Sequence, residues 1–544
     1  MEVVHGGLSL SEVRLERRIV IAIVFTVILI SAIVAAYFYQ VKVLVVKKNV
    51  IGIISIEGPI IYSYTAKTYI SIIHEALTNE SIKAVVLEVN SPGGYADLVE
   101  RIYLDLLELS KAKPLVASVT MALSGGYYIA IAADYIYSHP TSMVGNVGVI
   151  GIGPPTLIPS ERILETGPYK VIGFSKLLFP HNLSRALDNF VSSVIQRRGE
   201  RLKLSLAELR RGLIYLGSEA VKVGLVDEIG SLQKAIEKAA KEAGLVEYEV
   251  VYLKPKKSTY TSWGYGWQGG WENLTVEFLT KLYPPPSLYY IYIPPEMYMQ
   301  ELTKQYTVSS TATTFGSSGK GVALVDKTHG NMVSSWELNI LIAELAKRNI
   351  TALFIYTWRE LDLALNNASC LIIASPTIPY SKDEVDRIEE FVNNGGILLL
   401  FYDPASEYVR VPELFNPINT VSTRFGLTFA KGYLYNEEEH YGIYRNIYVR
   451  EFINTALTKN VTSLLLFTTT HIYSSNKGVA LTSDTTYSSA SEKQGKYAVI
   501  AMVENKGTVI AFADITFLME PYCYLEDNYQ LIANLVSVVE NQGK

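Results

Sequence analysis

From residue 50 to about residue 246, short apolar runs alternate with stretches where apolar residues recur every three or four positions. The runs at 51–56, 84–89, 115–119 and 135–138 are nearly continuous, which is the pattern of strands covered on both faces of a parallel sheet. Segments 96–109 and 232–243 carry helical periodicity between them. Strand and helix in alternation predict a layered α/β domain over 50–246. The pattern lapses over 254–320. There Trp263, Trp267 and Trp271 are interleaved with Gly and Tyr, Pro284-Pro285-Pro286 and Pro294-Pro295 follow, and 307–318 is rich in Ser, Thr and Gly. This stretch reads as a linker with aromatic contact points able to dock on a neighbour. The alternation resumes over 321–539, with strands expected at 321–325, 351–356, 370–374, 397–402 and 508–512 and helices at 336–347, 382–393 and 528–540. Asn394-Gly395-Gly396 is a helix stop ahead of a buried strand.

One further run is different in kind. Residues 19–39 carry no charge, and at 1.5 Å per residue they reach roughly 31 Å, about one bilayer core. Ile, Val and Phe surround this helix on all sides, and Tyr37, Phe38 and Tyr39 form an aromatic belt at its end. The reading is a single membrane span, with 1–18 as a cytoplasmic tail. Basic residues do not fix the orientation, since Arg14, Arg17 and Arg18 before the span are matched by Lys42, Lys47 and Lys48 after it. Asn-x-Ser/Thr sequons at Asn79, Asn182, Asn273, Asn349, Asn367 and Asn460 all follow it, and such sequons matter only on a translocated surface. They point to a cell-membrane protein whose large domains are extracytoplasmic.

Composition narrows the classes. With 49% hydrophobic and 19% charged residues among 544, the chain has ample core material and is no disordered polymer. A net charge of −5 argues against a nucleic-acid partner. Two cysteines exclude a disulfide framework and a multi-cysteine zinc site, and the seven histidines include no His-Glu-x-x-His spacing. No metal or other cofactor is implied. The 38 tyrosines are unexplained by composition alone.

Two glycine-rich turns are candidates for chemistry. Ser124, in Met121-Ala122-Leu123-Ser124-Gly125-Gly126-Tyr127-Tyr128, follows the 115–119 run and opens an apolar helix. A serine there has its hydroxyl beside unpaired N–H groups that favour a developing oxyanion, although an ordinary helix cap would look the same. Gly93-Gly94, in Asn90-Ser91-Pro92-Gly93-Gly94, follows the 84–89 run. Such a turn presents N–H groups at the carboxyl end of a strand, where α/β sheets bind ligands; it could equally be a plain tight turn. A nucleophilic serine needs a base. His74, His139 and His181 are available, as are Lys170 in Gly167-Pro168-Tyr169-Lys170 and Lys176, provided burial lowers the lysine pKa.

Together these blocks resemble the signal peptide peptidase A family of membrane-bound serine proteases. The resemblance also includes 51–60, Ala133-Asp134, 145–150 and the segment 220–230 containing Gly224-Leu225-Val226-Asp227. It implies a Clp-protease/crotonase-like α/β fold and a Ser/Lys dyad. Ser124 is then the nucleophile and Lys170 the general base, with Gly94 and Gly125 supplying the oxyanion N–H groups; a homo-oligomer, in which a site can be completed across subunits, is also implied. The chain departs from the family at Leu123, where a small residue is usual, and after Lys170, where an acidic residue often follows. This leaves Lys176 as the rival base. Membrane proteases of the NfeD type share the motifs but carry further spans.

The 321–539 segment resembles class I glutamine amidotransferase-like domains of the flavodoxin-like kind, through Ala374-Ser375-Pro376 and Asn394-Gly395-Gly396. A working amidotransferase needs a cysteine on a strand-to-helix elbow. Cys370 opens an apolar run and Cys523 sits in Pro521-Tyr522-Cys523-Tyr524, so this segment is expected to be a non-catalytic binding or assembly module.

The expectation is a membrane-anchored serine endopeptidase acting on hydrophobic peptides, such as signal-peptide remnants or membrane-protein tails. The rivals are an inactive tethered scaffold and a crotonase-like acyl-CoA enzyme on the same fold. Glycan mapping after expression in a glycosylating host should find sugar on several of the six sequons. An unmodified set combined with protease sensitivity on the cytoplasmic side would reverse the orientation.

Overall fold

The computed structural model describes residues 10–43, 49–154, 166–167, 169–170, 172–255, 274–294, 313–315, 321–405 and 415–542. Half of the expected tail (1–9), the three tryptophans and nearly all of 295–320 lie outside the described residues. The chain begins with helix α1 (Leu10–Val43). Its segment Arg17–Tyr37 has a mean hydropathy of 3.1 and no part of it is buried against the protein. It is long and apolar enough to cross a membrane.

The first α/β unit contains β1 (Val50–Glu57), α2 (Ser63–Thr78), β2 (Ile82–Ser91), β3 (Gly93–Tyr95), α3 (Ala96–Ala112), β4 (Leu115–Leu123), α4 (Gly125–Ala130), β5 (Tyr135–Gly145), β6 (Ile150–Ile152), α5 (Phe179–Arg198), β7 (Ile214–Leu216), β8 (Glu228–Ile229), α6 (Leu232–Glu242) and β9 (Glu249–Tyr252). Its main sheet has the order β7-β5-β4-β2-β1-β9, with β8 also paired to β5. The central strands β5, β4, β2, β1 and β9 run parallel. Successive residues of β1, β2 and β4 bury opposite ways. Ile54, Ile56, Val85, Leu87, Ala117 and Val119 join the core that includes α2, α3 and α5, while Ile51, Ile53, Ala84, Val86 and Val116 meet Ala235, Ile236 and Ala239 of α6. Covering on both faces is why these strands read as unbroken apolar runs.

Two acidic residues shared with the family resemblance turn out to be latches. The Arg198 guanidinium, 1% exposed, makes two 2.9 Å bonds to the Asp227 carboxylate, and its Nε donates to the Gly224 carbonyl at 2.8 Å. Asp227 also accepts the Ile136 N–H at 2.8 Å, which ties the Gly224-Leu225-Val226 turn to β5. Asp134 accepts the Leu115 N–H at 3.2 Å and so holds the start of β4.

Past β9 the expected linker does not stay clear of the domain. Residues 274–294 form α7 (Val276–Leu282) and β10 (Ser287–Ile291), which pack on the first unit. Leu274, Leu279, Tyr289, Ile291 and Ile293 bury against Ile61. Here β10 lies between β3 and β6, antiparallel to both, as the middle of a small three-stranded sheet.

The distal unit begins with the short strand β11 (Thr313–Phe315) and continues through β12 (Gly321–Asp326), α8 (Asn339–Lys347), β13 (Ile350–Ile355), α9 (Trp358–Leu365), β14 (Cys370–Ala374), α10 (Lys382–Asn393), β15 (Ile397–Phe401), β16 (Ala498–Glu504), β17 (Thr508–Phe512) and α11 (Asn528–Gln542). The five parallel strands run β13-β12-β14-β15-β17, a doubly wound order. Helices α8 and α11 cover one face and α9 and α10 the other. Cys370 and Cys523 are buried free thiols. Burial pushes the Cys370 thiol pKa far up and that of Cys523 up to about 11, so neither is a thiolate near neutral pH.

Removing one partner of the Arg198–Asp227 pair leaves a buried, uncompensated charge. Asp227→Ala should therefore destabilise the first unit by about 3–5 kcal/mol, measured as a fall in denaturant midpoint; an unchanged midpoint would reject the latch.

Candidate active site

The site is built where β4 hands over to α4. Ser124 is 1% exposed and adopts φ 52°, ψ −117°, a left-handed conformation that a serine holds only under constraint. The constraint is visible in the backbone: the Ser124 N–H donates to the Gly145 carbonyl at 2.9 Å, and its carbonyl accepts the Tyr128 N–H at 2.9 Å. Its hydroxyl does not cap α4. It points instead at the Gly148 carbonyl at 3.5 Å. The first-turn N–H groups of α4, beginning with Gly125, are thus not satisfied by the serine and have no partner inside the helix.

The glycines make this geometry possible. Gly93 has φ +98°, and Gly94 is bridged to Ile60. A Cβ on Gly94 would lie 2.0 Å from the Ile60 carbonyl oxygen, and one on Gly126 would lie 2.2 Å from that of Ser91. Turn 91–94 and the start of α4 are therefore in backbone-to-backbone contact, which brings Gly93-Gly94 beside Ser124. The Ser91 hydroxyl stiffens the turn, donating to the Gly58 carbonyl at 2.7 Å and accepting the Gly93 N–H at 3.2 Å.

The bases are placed less closely. Lys170 sits in an exposed turn, its N–H bonded to the Gly167 carbonyl at 3.0 Å, and no hydrogen bond joins it to Ser124 among the described residues. Lys176 is half-buried in the segment leading to α5. His74 and His139 are exposed, and His181 packs edge-on against Tyr441 with ring centres 4.5 Å apart. The single chain therefore brings Gly94 and Gly125 to Ser124, while Lys170 stays exposed. Among the described residues no cluster of His, Cys, Asp and Glu could hold a metal.

The sequence reading missed what packs against the elbow. Tyr290 of β10 is fully buried, its ring 5.3 Å from those of Tyr128 and Phe190. Its hydroxyl donates to Glu100 Oε1 at 2.8 Å and to the Ala186 carbonyl at 3.2 Å. Burial first, then the Glu100 charge, push the phenol pKa up, so it remains a protonated donor. The signal was present as Leu288-Tyr289-Tyr290-Ile291, a strand-prone run bounded by prolines.

Comparison with known proteins places this chemistry in context. Residues 108–157 and 160–246 match peptidase family S49. Over 212 residues, 35% of this chain, the sequence is 32% identical to Protease 4 of Haemophilus influenzae, and the matched stretch spans 34% of that protein. Among solved structures, a mutant of the 1510-N membrane-bound stomatin-specific protease in complex with a substrate peptide is similar over 38% of this chain and 94% of its own, at 22% identity and a TM-score of 0.28. The mmIFT52 N-terminal domain is similar over 40% of this chain and 97% of its own, at 11% identity and a TM-score of 0.34. The first α/β unit is thus similar to serine-type peptidases of family S49.

A methyl group at Gly126 would press on the Ser91 carbonyl, a contact that backbone cannot relieve cheaply. Gly126→Ala should therefore lower both stability, by about 1–3 kcal/mol, and reactivity of Ser124 towards a serine-directed phosphonate. Full labelling with an unchanged melting temperature would show that this contact is not needed.

Proposed function

We propose that this protein is a membrane-anchored serine endopeptidase that hydrolyses hydrophobic peptides close to the bilayer, such as signal-peptide remnants or membrane-protein tails. The observation that carries the reading is the strained, buried Ser124, whose hydroxyl does not cap α4, beside Gly94 and Gly125. In the proposed reaction a neutral lysine accepts the Ser124 proton as the hydroxyl oxygen attacks the peptide carbonyl. The oxyanion forms against the Gly94 and Gly125 N–H groups. The lysine then gives its proton to the leaving amine, and water, deprotonated by the same lysine, releases the acyl group. Lys170 is the proposed base. Since its turn is exposed in one chain, it joins Ser124 when a second copy covers that turn and strips water from the amine. Helix α1 holds the site at the membrane surface, with both α/β units extracytoplasmic. The distal unit, an amidotransferase-like, flavodoxin-like module in this reading, binds or assembles rather than catalyses.

The exposed Lys170 favours a second reading, a catalytically inactive tethered binding protein on the same fold. The two separate by experiment. In the peptidase reading, Ser124→Ala reduces peptide hydrolysis by about 10³-fold or more while assembly and melting temperature stay unchanged. Lys170→Ala does the same and Lys176→Ala does not. If only Lys176→Ala is inactive, the base is Lys176. No hydrolysis by the assembled native protein would leave the binding reading.

A further inference from the structure

Strand β10 has a position unusual for a linker. Strands β3 and β6 both run antiparallel to it, with Tyr290 opposite Gly94 and Tyr289 opposite Ile150. Without β10 these two strands would face each other across a slot about 10 Å wide, the width of one extended strand between two neighbours. Such a slot takes an extended peptide by main-chain hydrogen bonds.

The register brings one residue to the serine. The Tyr292 N–H donates to the Pro92 carbonyl at 2.9 Å. Hydrogen-bonded pairs alternate along an antiparallel ladder, so the next such pair is Gly94 with Tyr290. The Gly94 N–H thus faces the Tyr290 carbonyl. That oxygen also lies 2.0 Å from where a Gly93 Cβ would stand and 2.7 Å from where a Gly125 Cβ would stand. One carbonyl, of Tyr290, therefore lies over the glycines that flank Ser124. Its side chain is fully buried against the rings of Tyr128 and Phe190, with Glu100 and the Ala186 carbonyl accepting from the phenol at the far end. The strand is held from outside as well: Tyr95 stacks on Tyr283 at 3.9 Å and meets Tyr289 edge-on at 5.4 Å.

We infer that Ser287–Ile291 is an internal substrate-like strand occupying the peptide cleft, and that the pocket it fills selects a tyrosine side chain through Glu100. This rests on the peptidase reading of Ser124. It makes Tyr290 the stand-in for the residue whose carbonyl is attacked. It makes Glu100 a specificity-determining residue, and turnover waits on withdrawal of β10.

The test uses the full-length protein in detergent and peptides differing only in the residue before the scissile bond. Tyrosine should exceed phenylalanine by about tenfold in kcat/KM, because phenylalanine leaves the Glu100 carboxylate without its donor. Glu100→Leu should erase that ratio. Tyr290→Gly should raise kcat/KM for short peptides by about tenfold or more, as the empty cleft becomes the dominant state. Tyr290→Phe, which keeps the packing and loses the Glu100 bond, should give a smaller rise and guards against a misfolded glycine variant. A flat preference at that residue, or no acceleration in either Tyr290 variant while a phosphonate probe labels Ser124 in all of them, overturns this inference and leaves the peptidase reading intact. Failure of the probe to label Ser124 in every variant overturns both.

Discussion

The site depends on main chains approaching one another more closely than any side chain allows. Gly94 lies against Ile60, Gly126 against Ser91, and Gly93 and Gly125 against the carbonyl of Tyr290. These contacts surround the serine elbow, which holds φ 52°. A methyl group at any of these positions would meet backbone, which cannot rotate away as a side chain can. The strain stored at Ser124 is therefore maintained by the surrounding sheet, in which β4 lies between β2 and β5.

The sheet itself is held less by its surface charges than by packing and one buried latch. Most ion pairs here are exposed and contribute little. Arg198 with Asp227 is different, because both side chains are buried and every oxygen of the carboxylate is engaged. This explains why acidic residues within the family-like segments can be structural: they close β5 and the 224–227 turn.

The distal unit touches the first where the candidate lysines end. Tyr441 donates to the Leu177 carbonyl at 3.1 Å and flanks His181, while Arg211 bonds Glu437 at 2.6 Å. The segment that runs from Lys170 into α5 is thus supported by the distal unit at its far end.

Local pattern determined a great deal about this protein. The continuous apolar runs specify parallel strands because both of their faces are covered. The uncharged run near the start specifies a helix with apolar residues on every side. Ser124 and the glycine pairs were legible because an elbow of this kind tolerates few residue types. Tertiary structure alone decided what lies across the elbow. Glu100 and Tyr290 are 190 residues apart, and the pairing of β10 with β3 and β6 depends on three segments meeting in register, for which no local periodicity exists. The proline-bounded run therefore reads as linker in one dimension and as the centre of a sheet in three. The exposure of Lys170 is of the same kind, since the burial of an amine is a property of the folded surface and not of the residues beside it in the chain.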